Sequence, residues 1–186
     1  MPVTSDPVEV GEERVVLLAD SGDAIGTRLK SEVHGTSTPL HLAFSLYLFD
    51  AEDRLLLTRR ALDKRTWAGV WTNTCCGHPA PGEAPEDAVR RRVGQELGME
   101  LADLRCALPD FAYTAVDASG VMENEVCPVF VARTVHPDAA PLPNPAEVVD
   151  WKWGAWRDIV QAVAATPFVF SPWSVLQVRR LADVLP

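Results

Sequence analysis

Apolar and polar positions along the chain change period several times, and each change predicts an element. The strongest run, His41–Phe49 (HLAFSLYLF), is almost continuously apolar, which predicts a central strand covered on both faces. Ahead of it, Val15–Leu18 and Ala24–Leu29 flank the turn signal Ser21-Gly22-Asp23 and read as a hairpin ended by Lys30. After it, Asp50–Asp53 turns and Arg54–Thr58 returns as a strand. The period becomes helical where Val89, Val93 and Leu97 form one stripe flanked by Ala88. Glu83-Ala84-Pro85 opens that helix, with Glu86 and Asp87 at the positive end of its dipole, and Gly98 closes it. Further on, Leu108–Val116 predicts a strand, Asp117–Gly120 a turn, and Val121–Arg133 a longer extended stretch. Pro137–Pro145 reads as a surface loop, and Val148–Trp156 as a strand with Val149, Trp151 and Trp153 on one face. Asp158–Ala165 predicts a short helix. Ser171-Pro172 caps a last one running to about Val184, with Trp173 in its first turn.

Composition narrows the class. One domain is expected for 186 residues, with 1–13 as a loose polar tail and 14–186 as the folded unit. Apolar residues make up 47 % and charged residues 23 %, which places the chain among soluble globular proteins. The net charge of −9 sets it against nucleic acid and anionic membranes as partners. An anionic substrate then requires basic residues gathered locally. The sequence has no long apolar run of membrane-spanning length, so a cytoplasmic location is expected. The four cysteines, 75, 76, 106 and 127, form no disulfide framework and are expected to be reduced.

Several residues carry chemistry under two readings each. Glu96 falls near the middle of the helix stripe, where a carboxylate must either pair with Arg92 at i,i+4 or hold a metal. Cys75 and Cys76 are adjacent and lack the spacing of a zinc knuckle. One of them is a candidate nucleophile or base, while Cys75 reads as a small buried hydrophobe. His34 and His41 bracket a loop, as exposed residues or as ligands. Arg59, Arg60, Lys64 and Arg65 form either a solvated basic loop or a phosphate clamp, and the acidity of the whole chain favours the clamp. Glu123, Glu125 and Cys127 share one strand face. Two carboxylates there repel unless a cation or a shared proton intervenes, or unless the face is a solvated edge, which Pro128 suits. Trp173 reads as core packing unless it faces a site.

Gly77, Glu83, Arg91, Glu96 and Gly98 fit the spacing of the Nudix box, G-x5-E-x7-R-E-U-x-E-E-x-G-U, but Arg92 and Gln95 stand where the box has acids. The loss of those acids speaks against ordinary diphosphate hydrolysis. Together with HLAFSLYLF, LLLTRRA, WAGVWTNTCCGHP, VMENEVCPVF and FSPW, the pattern resembles the type 1 isopentenyl-diphosphate isomerases over nearly the whole chain.

That resemblance implies an α/β fold, a Nudix-type α/β/α sandwich with a mixed central sheet. It also implies an allylic proton shift between isopentenyl and dimethylallyl diphosphates. His34, His41, His78, Glu123 and Glu125 match a metal site whose three imidazoles and two carboxylates suit Mn or Zn better than Ca. Glu96 and the backbone carbonyl of Cys76 match ligands of a Mg ion carried with the substrate diphosphate. Cys76 and Glu125, the latter with Tyr113, match the acid–base pair. Lys30, Arg60, Lys64 and Arg92 match positions around the diphosphate, and Trp173 the aromatic ring that faces the cation. A monomer is expected, with an oligomer left open. The rival readings are a Nudix hydrolase, which would need the acids missing at Arg92 and Gln95, and a metal-stabilised binding module.

Overall fold

The computed structural model describes residues 13–136 and 140–185. Residues 1–12 of the expected tail and 137–139 of the expected loop lie outside the described residues, whereas Glu13 is described. The strands are β1 (Arg14–Leu18), β2 (Ala24–Leu29), β3 (His41–Leu42), β4 (Phe44–Phe49), β5 (Arg54–Arg60), β6 (Trp71–Thr72), β7 (Cys75–Gly77), β8 (Leu101–Leu108), β9 (Ala112–Val116), β10 (Met122–Val126), β11 (Val129–Thr134) and β12 (Val148–Ala155). The helices are α1 (Lys30–Val33), α2 (Pro85–Leu97), α3 (Trp156–Ala165) and α4 (Pro172–Leu181), with a 3-10 turn at Pro167–Val169.

The strands form two sheets. One is ordered β12-β5-β4-β11-β8, with β6 on β5 and β7 on β4, and it is mixed because β4 and β11 run parallel. Period-two alternation divides its side chains between two helical layers. Phe44, Leu46, Leu48, Phe130 and Ala132 pack under α2, on Val89, Val93 and Leu97. Tyr47, Phe49, Val129 and Val131 face α3 and α4, on Ile159, Val163, Val178 and Leu181. This is the expected α/β/α sandwich.

The second sheet, β2-β1-β3-β10-β9, was not separated from the first by pattern. His41–Phe49 is not one strand. It breaks at Ala43, so that β3 lies in the second sheet and β4 in the first. Val121–Arg133 breaks likewise at Cys127-Pro128 into β10 and β11. The two broken segments run parallel and cross between sheets side by side: Ala43 N–H donates to Val126 O at 2.9 Å and Ser45 N–H to Pro128 O at 3.1 Å. Pro128, which cannot donate to a ladder, marks this crossing and not a solvated edge.

Other boundaries moved as well. β8 was missed because its exposed and intermediate positions carry no clean alternation, and Leu108 ends it instead of opening β9. The short α1 was also missed. Val149 does not share a face with Trp151 and Trp153. A bulge between Val148 and Asp150 turns Val149 outward and puts Val148 in the core with them.

Helix α2 starts and stops where its signals lie. Pro85 occupies the first turn, and Gly98 ends the helix at φ 62°, with its N–H on Gly94 O. The returning loop then satisfies the last carbonyls: Leu142 N–H donates to Leu97 O and Asn144 N–H to Glu96 O, both at 2.8 Å. Ser171 caps α4 by accepting from Ser174 N–H.

Candidate active site

Five residues expected to bind metal come together from four separate segments. His34 follows α1, His41 opens β3, His78 follows β7, and Glu123 and Glu125 sit on β10. All five are buried or nearly so, which overturns the readings of exposed histidines and a solvated edge. Ring centroids lie 5.1 Å apart for His34–His41 and His41–His78, and 5.8 Å for His34–His78. One ligand atom from each of His34, His41, His78 and Glu125 lies within 4.8 Å of every other. Glu123 Oε2 stands 2.8 Å from His34 Nε2, and its other oxygen accepts from Thr66 Oγ1 at 2.9 Å.

The donor set fits a divalent ion. His78 Nδ1 is buried without a partner, and His34 Nε2 and His41 Nε2 are buried facing carboxylate oxygens at 2.8 and 3.4 Å without hydrogen-bond geometry, an expensive state for ring nitrogens unless something else meets them. His41 Nδ1 faces Pro39 O at 2.9 Å. A carbonyl only accepts, so Nδ1 carries the proton and the Nε2 lone pair is turned inward, the orientation that second-shell bonds give metal ligands. Burial works to raise the Glu125 carboxyl, but the imidazoles of His41 and His78 beside it overcome this and hold the group well below the usual carboxylate range.

The acid–base candidates lie beside this cluster. Tyr113 on β9 stands directly across from Glu125 in the antiparallel register and donates its hydroxyl to Glu125 Oε2 at 2.9 Å. Alternation along β7 sends neighbouring cysteines opposite ways. Cys75, 2 % exposed, packs among the residues under α2, and Cys76 packs beside the cluster on the α4 side. Cys76 Sγ lies 3.4 Å from Ser45 Oγ and 3.3 Å from Asn73 Oδ1. Burial pushes its thiol up to about 11, against the pull of Ser45 and Asn73.

Cys76, Tyr113, Glu125 and Trp173 line a cavity of about 560 Å³. The Trp173 ring lies 5.8 Å from Tyr113, tilted by 39°, and meets Trp67 edge-on at 5.3 Å. Trp173 is therefore both core and cavity wall.

Basic residues line the cavity too: Lys30, Arg60, Lys64, Arg65 and Arg92 all reach it, and the Arg60 guanidinium lies over the Trp173 ring, 5.4 Å from its centroid. Arg59 does not line the cavity; its Nε donates to Gly69 O at 2.8 Å. Acids interleave with these cations. Glu13 meets Lys30 at 2.6 Å and Arg92 at 3.2 Å, while Glu147 meets Lys64 and, at 3.3 Å, Arg92. The i,i+4 pair foreseen for Glu96 is present, with Arg92 Nε on Glu96 Oε1 at 2.9 Å, and Glu96 lines the cavity as well. Burial opposes the Arg92 cation, but Glu96 and Glu147 more than offset it and hold the guanidinium firmly charged. The box pair Glu83–Arg91 is bidentate, at 2.7 and 2.8 Å. It ties the loop bearing His78 to α2.

Glu13, Thr66, Asn73 and Glu147 were not picked out from sequence. Each lies in a loop or a terminal stretch, with no periodicity to mark its direction.

A family model described as the NUDIX domain matches residues 39–176. A solved Deinococcus radiodurans protein superposes with a TM-score of 0.69 at 21 % identity, covering 90 % of this chain and 98 % of that one. Fold and box together define a NUDIX-domain protein. Among named relatives, the Frankia alni isopentenyl-diphosphate Delta-isomerase is 60 % identical over 95 % of this chain and 89 % of its own length. The Brevibacterium linens protein of the same name is 55 % identical over 93 % of each. The chain belongs to the isopentenyl-diphosphate Delta-isomerase family.

Proposed function

We propose that this protein is a type 1, divalent-metal-dependent isopentenyl-diphosphate isomerase. It interconverts isopentenyl and dimethylallyl diphosphates by an allylic proton shift. The observation that carries this reading is the convergence of Cys76, Glu125 with Tyr113, and Trp173 on one cavity with a basic wall.

The reaction places a proton on C4 of an unactivated alkene, leaves positive charge at C3, and takes a proton from C2. It needs an acid, a base and shelter from water, which would capture the cation. Arg60, Lys64, Lys30 and Arg92 hold the diphosphate, with guanidinium forks matched to its oxygens and ammonium groups adding point charge. The Trp173 ring faces the developing cation, and such an attraction contributes about 2 kcal/mol when desolvated. Cys76 and Glu125 exchange the two protons, with Tyr113 holding the second carboxylate oxygen.

His34, His41, His78, Glu123 and Glu125 would hold a Mn or Zn ion, and Glu96 with the Cys76 carbonyl would hold a Mg ion brought by the diphosphate. When bound, the ions supply fixed positive charge that makes a ligated carboxyl a stronger acid and neutralises phosphate oxygens.

Family resemblance assigns proton delivery to Glu125 with Tyr113 and removal to Cys76. A second reading is favoured by the resting charges, in which the thiol is protonated and the Glu125 carboxylate ionised. From that state Cys76 donates and Glu125 accepts. The reaction is reversible, so the enzyme passes through both states.

The deciding experiment is proton NMR of isopentenyl diphosphate with the protein, Mg and Mn in D2O. Dimethylallyl signals with deuterium entering the new methyl group and C2 support the reading. Release of inorganic phosphate or a monophosphate from an unchanged alkene moves the protein to the hydrolases. An unchanged substrate with both metals and with Zn supplied refutes it.

A further inference from the structure

Asn73 lies in the connection between β6 and β7 and is fully buried. Its Nδ2 donates to two backbone carbonyls, Leu46 O at 3.1 Å and Cys75 O at 2.9 Å. Its Oδ1 lies 2.8 Å from Thr72 Oγ1, 3.0 Å from Trp173 Nε1 and 3.3 Å from Cys76 Sγ. Amide oxygen and nitrogen are interchangeable by shape, but here the partners decide. An indole N–H only donates, and two carbonyls only accept, so a single orientation satisfies all of them. The atom facing the Cys76 sulfur is therefore an oxygen, which can only accept the S–H.

A second chain of bonds ties this amide to the helix that carries Trp173. Thr72 has one hydroxyl proton and gives it to Asn73 Oδ1. The 2.8 Å contact between Thr72 Oγ1 and Ser171 Oγ must then be donated by Ser171, the N-cap of α4. One buried carbonyl oxygen thus tethers both the Cys76 sulfur, which Ser45 Oγ also meets at 3.4 Å, and the edge of the Trp173 indole.

We infer that Asn73 is a positioning residue of the isomerisation, holding the Cys76 sulfur and the Trp173 indole in fixed register with each other beside the reacting carbons. This rests on Cys76 and Trp173 having the roles proposed above. Asn73 hydrogen-bonds none of the basic residues and meets Arg60 only through the Trp173 ring beneath it, so its loss is expected to fall on turnover and not on diphosphate binding.

The test is steady-state kinetics of Asn73→Ala and Asn73→Asp beside Cys76→Ala, with nitrogen–proton spectra of the indole N–H groups. Asn73→Ala is expected to lose about 100-fold in kcat, the scale of a misaligned reacting group, with KM for isopentenyl diphosphate within threefold of wild type. The Trp173 indole resonance should move upfield as its acceptor disappears. Asn73→Asp keeps an oxygen in place and should recover part of the kcat at the same KM.

If the alanine variant does not fold, the aspartate variant carries the test, with kcat still below wild type by about 10-fold at unchanged KM and a shifted indole signal. Wild-type kcat in a folded Asn73 variant, or a loss appearing wholly in KM, overturns the inference while leaving the assigned reaction intact if Cys76→Ala is dead. Turnover in Cys76→Ala would instead remove the reading on which the inference rests.

Discussion

Replacing Tyr113 by Phe removes one oxygen atom and little else. The ring is buried on β9 between Phe111 and Trp173, at 6.0 and 5.8 Å, and those contacts survive the change. What is lost is the 2.9 Å hydrogen bond to Glu125 Oε2, the one that holds the carboxylate oxygen turned away from the histidines. A hydrogen bond to a charged group contributes about 1.5–3 kcal/mol. In a chain of this size that corresponds to a fall in Tm of roughly 3–12 °C. The same bond enters turnover because the charge on Glu125 changes as a proton reaches or leaves it, so the phenol interacts differently with ground and transition states. Converted at 1.36 kcal/mol per decade, the loss in kcat is roughly 10- to 150-fold. KM for isopentenyl diphosphate should stay within about threefold, since the phenol's hydrogen bond and ring contacts involve no basic residue. The assay is the rate of appearance of the dimethylallyl methyl signals at saturating substrate, with a thermal melt of the same preparation. A folded variant with kcat within twofold of wild type would refute the argument that this hydroxyl acts on Glu125 during the reaction.

Four further outcomes are expected. Chelation of divalent ions should abolish turnover and lower Tm by roughly 5 °C or more; Mn or Zn should restore both, and elemental analysis should find an ion that His41→Ala has lost. Arg60→Ala and Lys64→Ala should each raise KM about tenfold or more with little change in kcat, and an unchanged KM would take that residue out of the clamp. Glu147→Gln removes a carboxylate that competes with phosphate for Lys64 and Arg92, so KM should fall about threefold; a rise would make Glu147 an organiser of Lys64. Gly98→Ala should lower Tm by roughly 2–8 °C with kcat unchanged, because φ 62° costs a side-chain-bearing residue about 1–2 kcal/mol. Its new Cβ would also crowd Leu142 Cβ at 3.2 Å; an unaltered melt would contradict this.

Much of this architecture was legible because strong patterns coincide with local chemistry. The stripe Val89, Val93 and Leu97, with Pro85 at one end and Gly98 at the other, leaves few alternatives to a helix at that place. The candidate ligands were legible as residue types, but their gathering was not. His34 and His41 flank one loop, but His78 and Glu125 lie far from them and from each other in sequence, and only the resemblance to a known family linked the four. The two breaks at Ala43 and at Cys127-Pro128 were hidden because an apolar run looks the same whether it stays in one sheet or passes to another. The Asn73 network was invisible for a related reason. A polar residue in a connection has no periodicity, and its value depends on the indole of Trp173, one hundred residues away.

The hidden breaks explain why the site sits where it does. At the crossing, β3 and β10 leave the sandwich together and carry His41 and Glu125 out as register partners in the second sheet. Their continuations, β4 and β11, stay in the sandwich, where β4 pairs Ser45 with Cys76 on β7. The metal ligands and the thiol are thus fixed by two different sheets that share the same pair of chain segments, and the cavity opens along the seam between them. Helix α2 closes the remaining side, and there the change at one box position alters the chemistry. An acid at position 92 would add to Glu96 and Glu147 and make that wall strongly anionic, suited to gathering metal ions against a phosphate to be cleaved. Arg92 instead bridges Glu13, Glu96 and Glu147 and leaves the wall able to receive a diphosphate. In the proposed reaction the reacting carbons meet Cys76, Glu125 and Trp173. On the proposed assignment the box helix anchors the diphosphate, and the seam between the sheets supplies the proton chemistry.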